Sequence, residues 1–355
     1  MKVTCEVADL LEAVKTVLPA IPTRSPKEVL QSIKISAGDG ALHLVGGNLE
    51  TRVETTCKAG VESGGACLIP AKQLHQILAN LPEGQVMIAA DGSAVTINAQ
   101  RRTARIPTQK VEDYPEPTAM VLEKLATVHG LKTAISRAMS CVAHDSTRYA
   151  LGCLYIDTTQ DFTVVGTDGN RIGVQGLQQP SESQQSILVP KPLAAIASRL
   201  LDDSNVQVAF DENWVQFTQG GTVLLGRIGA GRYPNWRDVL GRFKPDVETQ
   251  VDAGQLLSAA RHVDSLIDET DLNNAANVEI RDDKIILSPT NSAGQATAEV
   301  PIESTGKTVQ LHLQARYLLS GLAGMDGLVT LGLNEKQLML TTNDGFFLVI
   351  QALGD

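Results

Sequence analysis

Aromatic side chains and paired cysteines are both scarce in this chain of 355 residues. Phenylalanine, tyrosine and tryptophan make up 4% of it, which argues against a surface on which the bases of single-stranded nucleic acid stack. The cysteines are odd in number and form no C-x-x-C pair, so they indicate reduced thiols rather than a disulfide framework. They are Cys5, Cys57, Cys67, Cys141 and Cys153.

Long apolar runs are also missing. No stretch reaches the ~18 residues of a membrane span, and Met1–Val7 alternates like a strand, unlike the apolar run of a signal peptide. We therefore expect a cytoplasmic protein without a membrane partner. The net charge of -10 argues against a surface that binds nucleic acid everywhere, but it allows positive charge confined to one face.

Motifs of catalysis are not found either. Residues 144–146, His-Asp-Ser, have the residue types of a hydrolase triad, but neighbouring side chains point apart and cannot form one. There is no G-x-x-x-x-G-K-[ST] loop, and histidine and cysteine are scattered without the spacing of metal ligands. The sequence predicts no catalytic residue, no metal site and no cofactor.

What the chain does contain is an internal repeat with a period of about 120 residues. An apolar strand end followed by a helix recurs three times, at Ile69–Leu78, Val189–Leu200 and Leu313–Leu318. A leucine-bearing amphipathic helix opens each unit, and alternating strands follow it. Ordinary domain duplication without ring formation would give the same pattern, so the repeat alone leaves that alternative open.

Two helices beside short alternating strands predict an α+β fold in which helices pack on antiparallel sheet. We expect three such domains, formed by residues 1–118, 119–243 and 244–355. Each predicted helix carries or adjoins at least one cation, and most acids lie in loops and strands. Such sparse positive charge can contact phosphates without reading bases. Cations that simply keep exposed helix faces soluble are the competing interpretation.

Three segments resemble the bacterial β sliding clamp family, the β subunit of DNA polymerase III. They are Asp145–Leu151, the hairpin turn in Thr163–Ile172, and the run Gly231–Leu240. The resemblance implies three clamp domains assembled into a homodimeric ring around duplex DNA without sequence specificity. It implies a non-catalytic processivity factor that works on the nucleoid. The alternative is an unrelated triple-repeat α+β scaffold or enzyme that does not encircle DNA.

The resemblance also implies a hydrophobic groove that accepts linear motifs of DNA polymerase and of the clamp loader. Its residues here are Leu151, Thr167, Gly169, Asn170, Arg171, Ile172, Pro234, Val239, Leu348, Val349 and Ile350. The sequence departs from the family pattern at Asn170, at Asp238 and in the tail Ile350–Asp355. These departures indicate an altered preference among partners.

Two further sets of residues follow from the resemblance and the charge pattern. DNA contacts are expected from Arg24, Lys72, Lys132, Arg137, His144, Arg148, Tyr149, Lys191 and Arg316. The dimer interface is expected to join a basic edge to a partly acidic one, through Arg101, Arg102, Thr103, Arg105, Leu266, Ile267, Asp268 and Glu269. Two unrelated charged loops are the alternative for these edges.

Overall fold

A computed structural model describes residues 1–115, 122–144, 148–180, 185–267, 275–290 and 296–353. The chain divides into two compact units. The N-terminal unit comprises Met1–Thr127, Arg199–Leu201 and Asn205–Ile228. The C-terminal unit comprises Val128–Ser198, Asp202–Ser204 and Gly229–Asp355.

Six amphipathic helices of the described residues lie where the repeat predicted them, and one short helix was not predicted. The helices are α1 (Val7–Val17), α2 (Ala71–Ala79), α3 (Leu131–Met139), α4 (Lys191–Leu200), α5 (Trp236–Gly241), α6 (Ala253–Asp264) and α7 (Ala315–Leu322). The buried residues of the six recur every three or four positions, as Leu10, Val14 and Val17 do in α1, so that one face packs on the sheets.

The strands of the first half of the chain are β1 (Lys2–Glu6), β2 (Ser32–Gly38), β3 (Ala41–Gly47), β4 (Thr51–Lys58), β5 (Gly60–Ser63), β6 (Gly65–Pro70), β7 (Gln85–Ala90), β8 (Ala94–Ala99), β9 (Arg102–Pro107), β10 (Glu123–Val128), β11 (Cys153–Asp157), β12 (Asp161–Thr167) and β13 (Arg171–Pro180). Those of the second half are β14 (Ser186–Pro190), β15 (Val206–Phe210), β16 (Trp214–Gln219), β17 (Thr222–Arg227), β18 (Val247–Asp252), β19 (Ala275–Arg281), β20 (Lys284–Pro289), β21 (Ala298–Pro301), β22 (Thr308–Gln314), β23 (Leu328–Leu333), β24 (Gln337–Thr342) and β25 (Phe346–Gln351).

The N-terminal unit contains a five-stranded sheet, β5-β1-β7-β8-β9, and an eight-stranded sheet, β10-β15-β16-β17-β4-β3-β2-β6. The C-terminal unit contains an eight-stranded sheet, β14-β11-β12-β13-β25-β24-β23-β18, and a four-stranded sheet, β21-β20-β19-β22. Neighbouring strands whose register is resolved run antiparallel throughout. The α+β class predicted from the sequence is therefore confirmed.

Each repeat contributes two half-sheets. One half-sheet consists of the strand before the first helix and the three strands after the second, as in β1-β7-β8-β9, β10-β15-β16-β17 and β18-β23-β24-β25. The other lies between its two helices, as in β6-β2-β3-β4, β14-β11-β12-β13 and β22-β19-β20-β21. Successive repeats join when the last strand of one half-sheet pairs with the next repeat, so β4 pairs with β17 and β13 pairs with β25.

This strand pairing explains why the compact units do not follow the repeats. Strands β15 to β17 belong to the second repeat but extend the sheet of the first, so they lie in the N-terminal unit. The division into residues 1–118, 119–243 and 244–355 stays a prediction.

Candidate binding groove

A cavity of about 230 Å³ lies in the C-terminal unit beside the pairing of β13 with β25. Its lining consists of Arg148, Leu151, Thr167, Gly169, Asn170, Arg171, Ile172, Tyr233, Pro234, Trp236, Val239, Gln337, Val349 and Gln351. Nine of the eleven residues that the resemblance assigned to a groove are thus brought together.

One side of the cavity is the tight turn between β12 and β13. The carboxylate of Asp168 fixes the turn, because its Oδ1 accepts hydrogen bonds from the backbone N–H groups of Asn170 (3.0 Å) and Arg171 (3.1 Å). The hydroxyl of Thr167 donates to the carbonyl of Arg171 (2.6 Å) and accepts from the N–H of Gly169 (3.1 Å). Gly169 has φ +96°, a conformation that residues with a side chain rarely adopt.

The guanidinium of Arg171 is held in place on three sides. Its Nε donates to Oδ2 of Asp168 (3.0 Å), and Nη1 donates to the hydroxyl of Ser320. It also lies over the ring of Tyr317, 4.3 Å from the centroid, at a distance typical of a cation–π contact. The side chain is only 11% exposed, so it supplies a fixed positive charge at the rim of the cavity.

The opposite side of the cavity is formed by α5 and the residues before it. Tyr233 stacks on Tyr155 with parallel rings whose centroids are 4.7 Å apart, and burial raises the pKa of the Tyr233 hydroxyl. Trp236 packs against the same apolar cluster, whereas Val239 stays 37% exposed. An apolar side chain that entered the cavity would therefore meet aromatic and aliphatic surface on this side.

Two residues of the predicted groove lie elsewhere. Leu348 and Ile350 are fully buried in the core of the third repeat, which includes residues of α6 and α7. Alternate residues of a strand point to opposite faces, so Val349 and Gln351 face the cavity while Leu348 and Ile350 face away. We therefore exclude Leu348 and Ile350 from the groove.

Five lining residues were not on the predicted list. Tyr233 and Trp236 fall inside the run that carried the resemblance, so their aromatic character could have identified them. Arg148, which is also expected to contact DNA, lies in the lining. Gln337 and Gln351 are cross-strand neighbours on β24 and β25, joined by a side-chain hydrogen bond of 3.1 Å. No feature of the sequence indicated that pair.

A second cavity, of about 490 Å³, shares Asn170 and Arg171 with the first. It brings together three residues predicted to contact DNA, namely His144, Lys191 and Arg316. The ammonium of Lys191 donates to the carbonyl of Val142 (3.0 Å). Its pKa is lowered by burial and by the charge of Arg171. This cationic cavity can accept an anionic group such as a phosphate.

Arg137, another residue predicted to contact DNA, is a structural link. Its Nε donates to the carbonyl of Gly324 (2.7 Å), and its Nη1 donates to Gln175 (3.0 Å) and to the carboxylate of Asp344 (2.6 Å). The side chain is 11% exposed. Nε and Nη1 of Arg137 thus donate to protein groups, and a contact of Arg137 with DNA stays a prediction.

The other members of that set differ in exposure. Lys72 and Arg24 are exposed in the N-terminal unit, and Lys132 is half-buried on α3. Tyr149 is 62% exposed, which is unusual for an aromatic side chain.

The predicted interface residues are only partly described. Arg102, Thr103 and Arg105 are exposed on β9, and Arg101 is exposed in the turn before it. Arg105 forms an ion pair with Asp91 (3.1 Å). Leu266 is exposed and Ile267 half-buried just after α6. Asp268 and Glu269 lie outside the described residues.

The described residues contain no cluster of histidine, cysteine, aspartate or glutamate that could hold a metal ion. Within the same residues, no helix has the length and apolar composition that crossing a membrane requires.

Comparison with known proteins gives a consistent result. The model of the DNA polymerase III beta subunit, N-terminal domain, matches residues 1–118, and that of its central domain matches residues 126–235. The beta sliding clamp of Caulobacter vibrioides is 25% identical over 90% of this chain and 89% of its own. That of Synechococcus elongatus is 24% identical over 92% and 90%.

The fold is likewise that of solved sliding clamps. A crystal structure of the Caulobacter crescentus clamp, with polyethylene glycol bound to a region described as a putative beta-motif tethering region, has a TM-score of 0.89 at 22% identity, covering 100% of this chain and 99% of that one. The Pseudomonas aeruginosa clamp bound to griselimycin has a TM-score of 0.91 at 20% identity, covering 100% of both chains.

These matches define the class of protein as a DNA clamp. The chain belongs to the family of DNA polymerase III beta subunits, the β sliding clamps, and its function is that of a DNA sliding clamp. An unrelated triple-repeat scaffold or enzyme is not favoured.

Proposed function

We propose that two copies of this chain close head to tail into a ring around duplex DNA, and that the groove tethers DNA polymerase and the clamp loader to it. The ring is non-catalytic and acts by retention on DNA, so its place of work is the nucleoid in the cytoplasm. The observation that carries the proposal is the way in which successive repeats join.

Each internal junction pairs equivalent strands, and the described strands leave one such pair unused. The first repeat ends its sheet at β9, the equivalent of β17 and β25. The third ends its sheet at β21, the equivalent of β4 and β13. Among the described strands, β9 and β21 each have a neighbour on one side only. Exposed strand edges of this kind are templates for pairing with another chain. A second copy would pair β9 with β21 twice and complete the series.

The register of the first junction predicts which side chains would meet. In β3 and β4, Thr56 lies at the position that Glu299 occupies in β20 and β21. Gly221 lies close to Thr56, since a Cβ built on Gly221 would be 3.9 Å from the hydroxyl oxygen of Thr56. Gly221 and Arg101 occupy equivalent positions in the turns before β17 and β9. If β9 and β21 pair in the same register, Arg101 of one copy would lie opposite Glu299 of the other, which is an attractive pair.

This pairing changes the expected acidic side of the interface. Glu299 is exposed and forms an ion pair with Lys284 (2.8 Å) within its own chain. An exposed ion pair contributes only ~0.2–1 kcal/mol, so closure depends mainly on the strand pairing and on apolar contacts. Leu266, Ile267, Asp268 and Glu269 remain proposed neighbours of that pairing.

A charge exchange tests ring closure. Arg101→Glu and Glu299→Arg should each raise the monomer fraction in sedimentation at low concentration, because each opposes like charges. The double variant restores opposite charges and should return toward the dimer. Arg199→Glu, on the exposed side of α4, is a control that should leave the dimer unchanged. An unchanged dimer in all variants would contradict the proposed pairing.

The proposed DNA contacts are electrostatic. The cationic cavity with His144, Lys191 and Arg316 would contact phosphates, together with Arg24, Lys72, Lys132, Arg148 and Tyr149. Such contacts carry no sequence information and weaken steeply as salt is added. This behaviour suits a protein that must slide.

The groove has the composition of a peptide site. Leu151, Ile172 and Val349 offer apolar surface, and Arg171 offers a fixed charge at the rim. Each well-buried leucine or phenylalanine of a partner would contribute ~1.5–3 kcal/mol. Ordering a free peptide offsets much of that, so we expect micromolar affinity for a Gln-Leu-x-Leu-Phe segment.

Encirclement is tested by topology. The protein is loaded onto a nicked circular plasmid by a clamp loader, and the plasmid is then cut once. A ring should stay on the circle at high salt and leave within minutes of the cut through the free ends. Retention on the linear product at high salt would overturn encirclement.

A further inference from the structure

The short helix α5, which forms one wall of the groove, has few stabilising features of its own. It has six residues, none of them buried, and the side chain of Asn235 does not cap its N-terminus. A helix this short is not stable by itself. Its position must therefore come from contacts with the sheet beneath it, and those contacts decide how well the groove is formed before a partner arrives.

The polar part of those contacts converges on one carboxylate. Oδ2 of Asp157, at the end of β11, accepts hydrogen bonds from the indole N–H of Trp236 (3.0 Å) and from Nη1 of Arg237 (2.6 Å). Oδ1 accepts from the backbone N–H (3.0 Å) and hydroxyl (2.7 Å) of Thr159. The carboxylate is 2% exposed, so both of its oxygens accept hydrogen bonds from protein groups rather than from solvent.

The two donors are themselves packed together. The guanidinium of Arg237 lies over the ring of Trp236, 4.3 Å from the centroid. Burial acts to raise the pKa of Asp157, but the hydrogen bonds from Thr159, Trp236 and Arg237 outweigh burial and lower it. The carboxylate is therefore ionised at neutral pH. The indole of Trp236 lines the groove, so a bond to its nitrogen fixes a surface that a partner would touch.

We propose that Asp157 is the positioning residue of the groove: it holds Trp236 and Arg237, and through them α5, in the geometry that a partner peptide binds. Asp157 does not line the cavity, and it acts only through the helix. Preorganisation of this kind raises affinity because the wall need not be ordered during binding. The inference rests on the proposed peptide-binding function and identifies the residue on which it depends.

The test uses the full chain with Trp214→Phe, which leaves Trp236 as the single tryptophan. Asp157→Asn keeps the shape of the side chain but turns an amide N–H₂ or a weaker acceptor toward two donors. We expect the quenching of Trp236 by acrylamide to rise severalfold. We expect the affinity for a Gln-Leu-Ser-Leu-Phe peptide to fall about tenfold. Asp161→Asn, an exposed carboxylate on the neighbouring strand β12, is the matched control and should change neither.

Two further variants separate positioning from a general loss of structure. Arg237→Gln removes the charged donor at a side chain that is 38% exposed, so it leaves the sheet intact even if Asp157→Asn fails to fold. It should also lower the affinity for the peptide. Its effect should not add to that of Asp157→Asn, because both variants break the contact between Asp157 and Arg237. Arg237→Lys restores a cationic donor and should recover most of the affinity.

The outcomes are distinct. A folded Asp157→Asn protein with unchanged peptide affinity would overturn the inference, and so would unchanged quenching of Trp236. Additive losses in the double variant would show that Asp157 does not act through Arg237 and would also overturn it. A parent protein that does not bind the peptide would instead overturn the proposed function and the role of Asp157 with it.

Discussion

The junction of β4 with β17 and the junction of β13 with β25 share one backbone scheme. Before β4, Oδ1 of Asn48 accepts from the backbone N–H of Thr51 (2.7 Å). Before β13, Oδ1 of Asp168 accepts from the N–H of Arg171 (3.1 Å) in the same way. The two turns therefore start their strands alike, although one uses an amide and the other a carboxylate.

The strand that joins from the next repeat is also bonded alike. The N–H of Arg227 donates to the carbonyl of Glu50 (2.8 Å), and the N–H of Gln351 donates to that of Asn170 (2.8 Å). The groove lies beside the second junction, and several of its lining side chains, such as Tyr233 and Trp236, lie outside this backbone scheme.

One such difference is at the end of each repeat. Tyr114, which closes the first repeat, is 4% exposed and packs against Val45 and Leu68. Tyr233 closes the second repeat, stacks on Tyr155 and lines an open cavity. Tyr114 fills its site and leaves no surface for a partner to contact. Tyr233 instead forms part of the wall of a cavity that a partner can enter. The comparison shows how a duplicated unit gains a site without changing its fold.

The largest effect should come from a link at the second junction. The buried Leu131 and Ile135 of α3 correspond to Leu10 and Val14 of α1, so Arg137 corresponds to Thr16, whose hydroxyl donates to the carbonyl of Glu12 (3.0 Å) within its own helix. Arg137→Ala leaves the carbonyl of Gly324 and the buried amide of Gln175 without their donor. We expect the free energy of unfolding to fall by about 2 kcal/mol, since bonds to charged groups are worth ~1.5–3 and exposed Asp344 adds little. Denaturant titration measures this.

The control for that variant is Arg199→Ala, which removes an exposed arginine of α4 and should change stability by less than about 0.5 kcal/mol. Retention of Arg137→Ala on circular DNA tests the predicted DNA contact separately. A loss of retention without a loss of stability would mean that Arg137 contacts DNA.

The second effect concerns binding. Leu151→Ala with Val349→Ala removes apolar surface from the groove, and we expect peptide affinity to fall by about tenfold, equivalent to ~1.4 kcal/mol. Leu225 occupies at the first junction the position that Val349 occupies at the second. Leu225→Ala should therefore lower stability without changing peptide affinity in calorimetry. Equal losses of affinity in both proteins would show that the groove reports only general packing.

The sequence predicted the helices because these depend on local periodicity. It predicted the repeat because similar segments recur at one spacing along the chain. It could not assign faces at Leu348–Ile350, because three consecutive apolar residues carry no alternation. It could not reveal that Arg137 is bound, since Gly324 and Asp344 lie far along the chain. Helix α5 was missed because six residues are too few for a helical pattern to be recognised.

The smallest effect should come from the turns themselves. Gly169 and Leu49 occupy equivalent positions, each following the Asx residue of its turn. Gly169 has φ +96°, and a Cβ there would meet no atom within 4 Å, so Gly169→Ala should cost backbone strain alone. We expect a loss of about 1 kcal/mol in unfolding free energy, and a loss of peptide affinity of only a few-fold.

Leu49 supplies the matched control for that turn. It is 59% exposed and is not among the residues with positive φ, so Leu49→Ala should leave stability within about 0.5 kcal/mol of the parent. If Gly169→Ala were as stable as Leu49→Ala, the second turn could adopt the backbone of the first. The glycine would then be dispensable, and the rim of the groove would depend on Asp168 and Arg171 rather than on the conformation at Gly169.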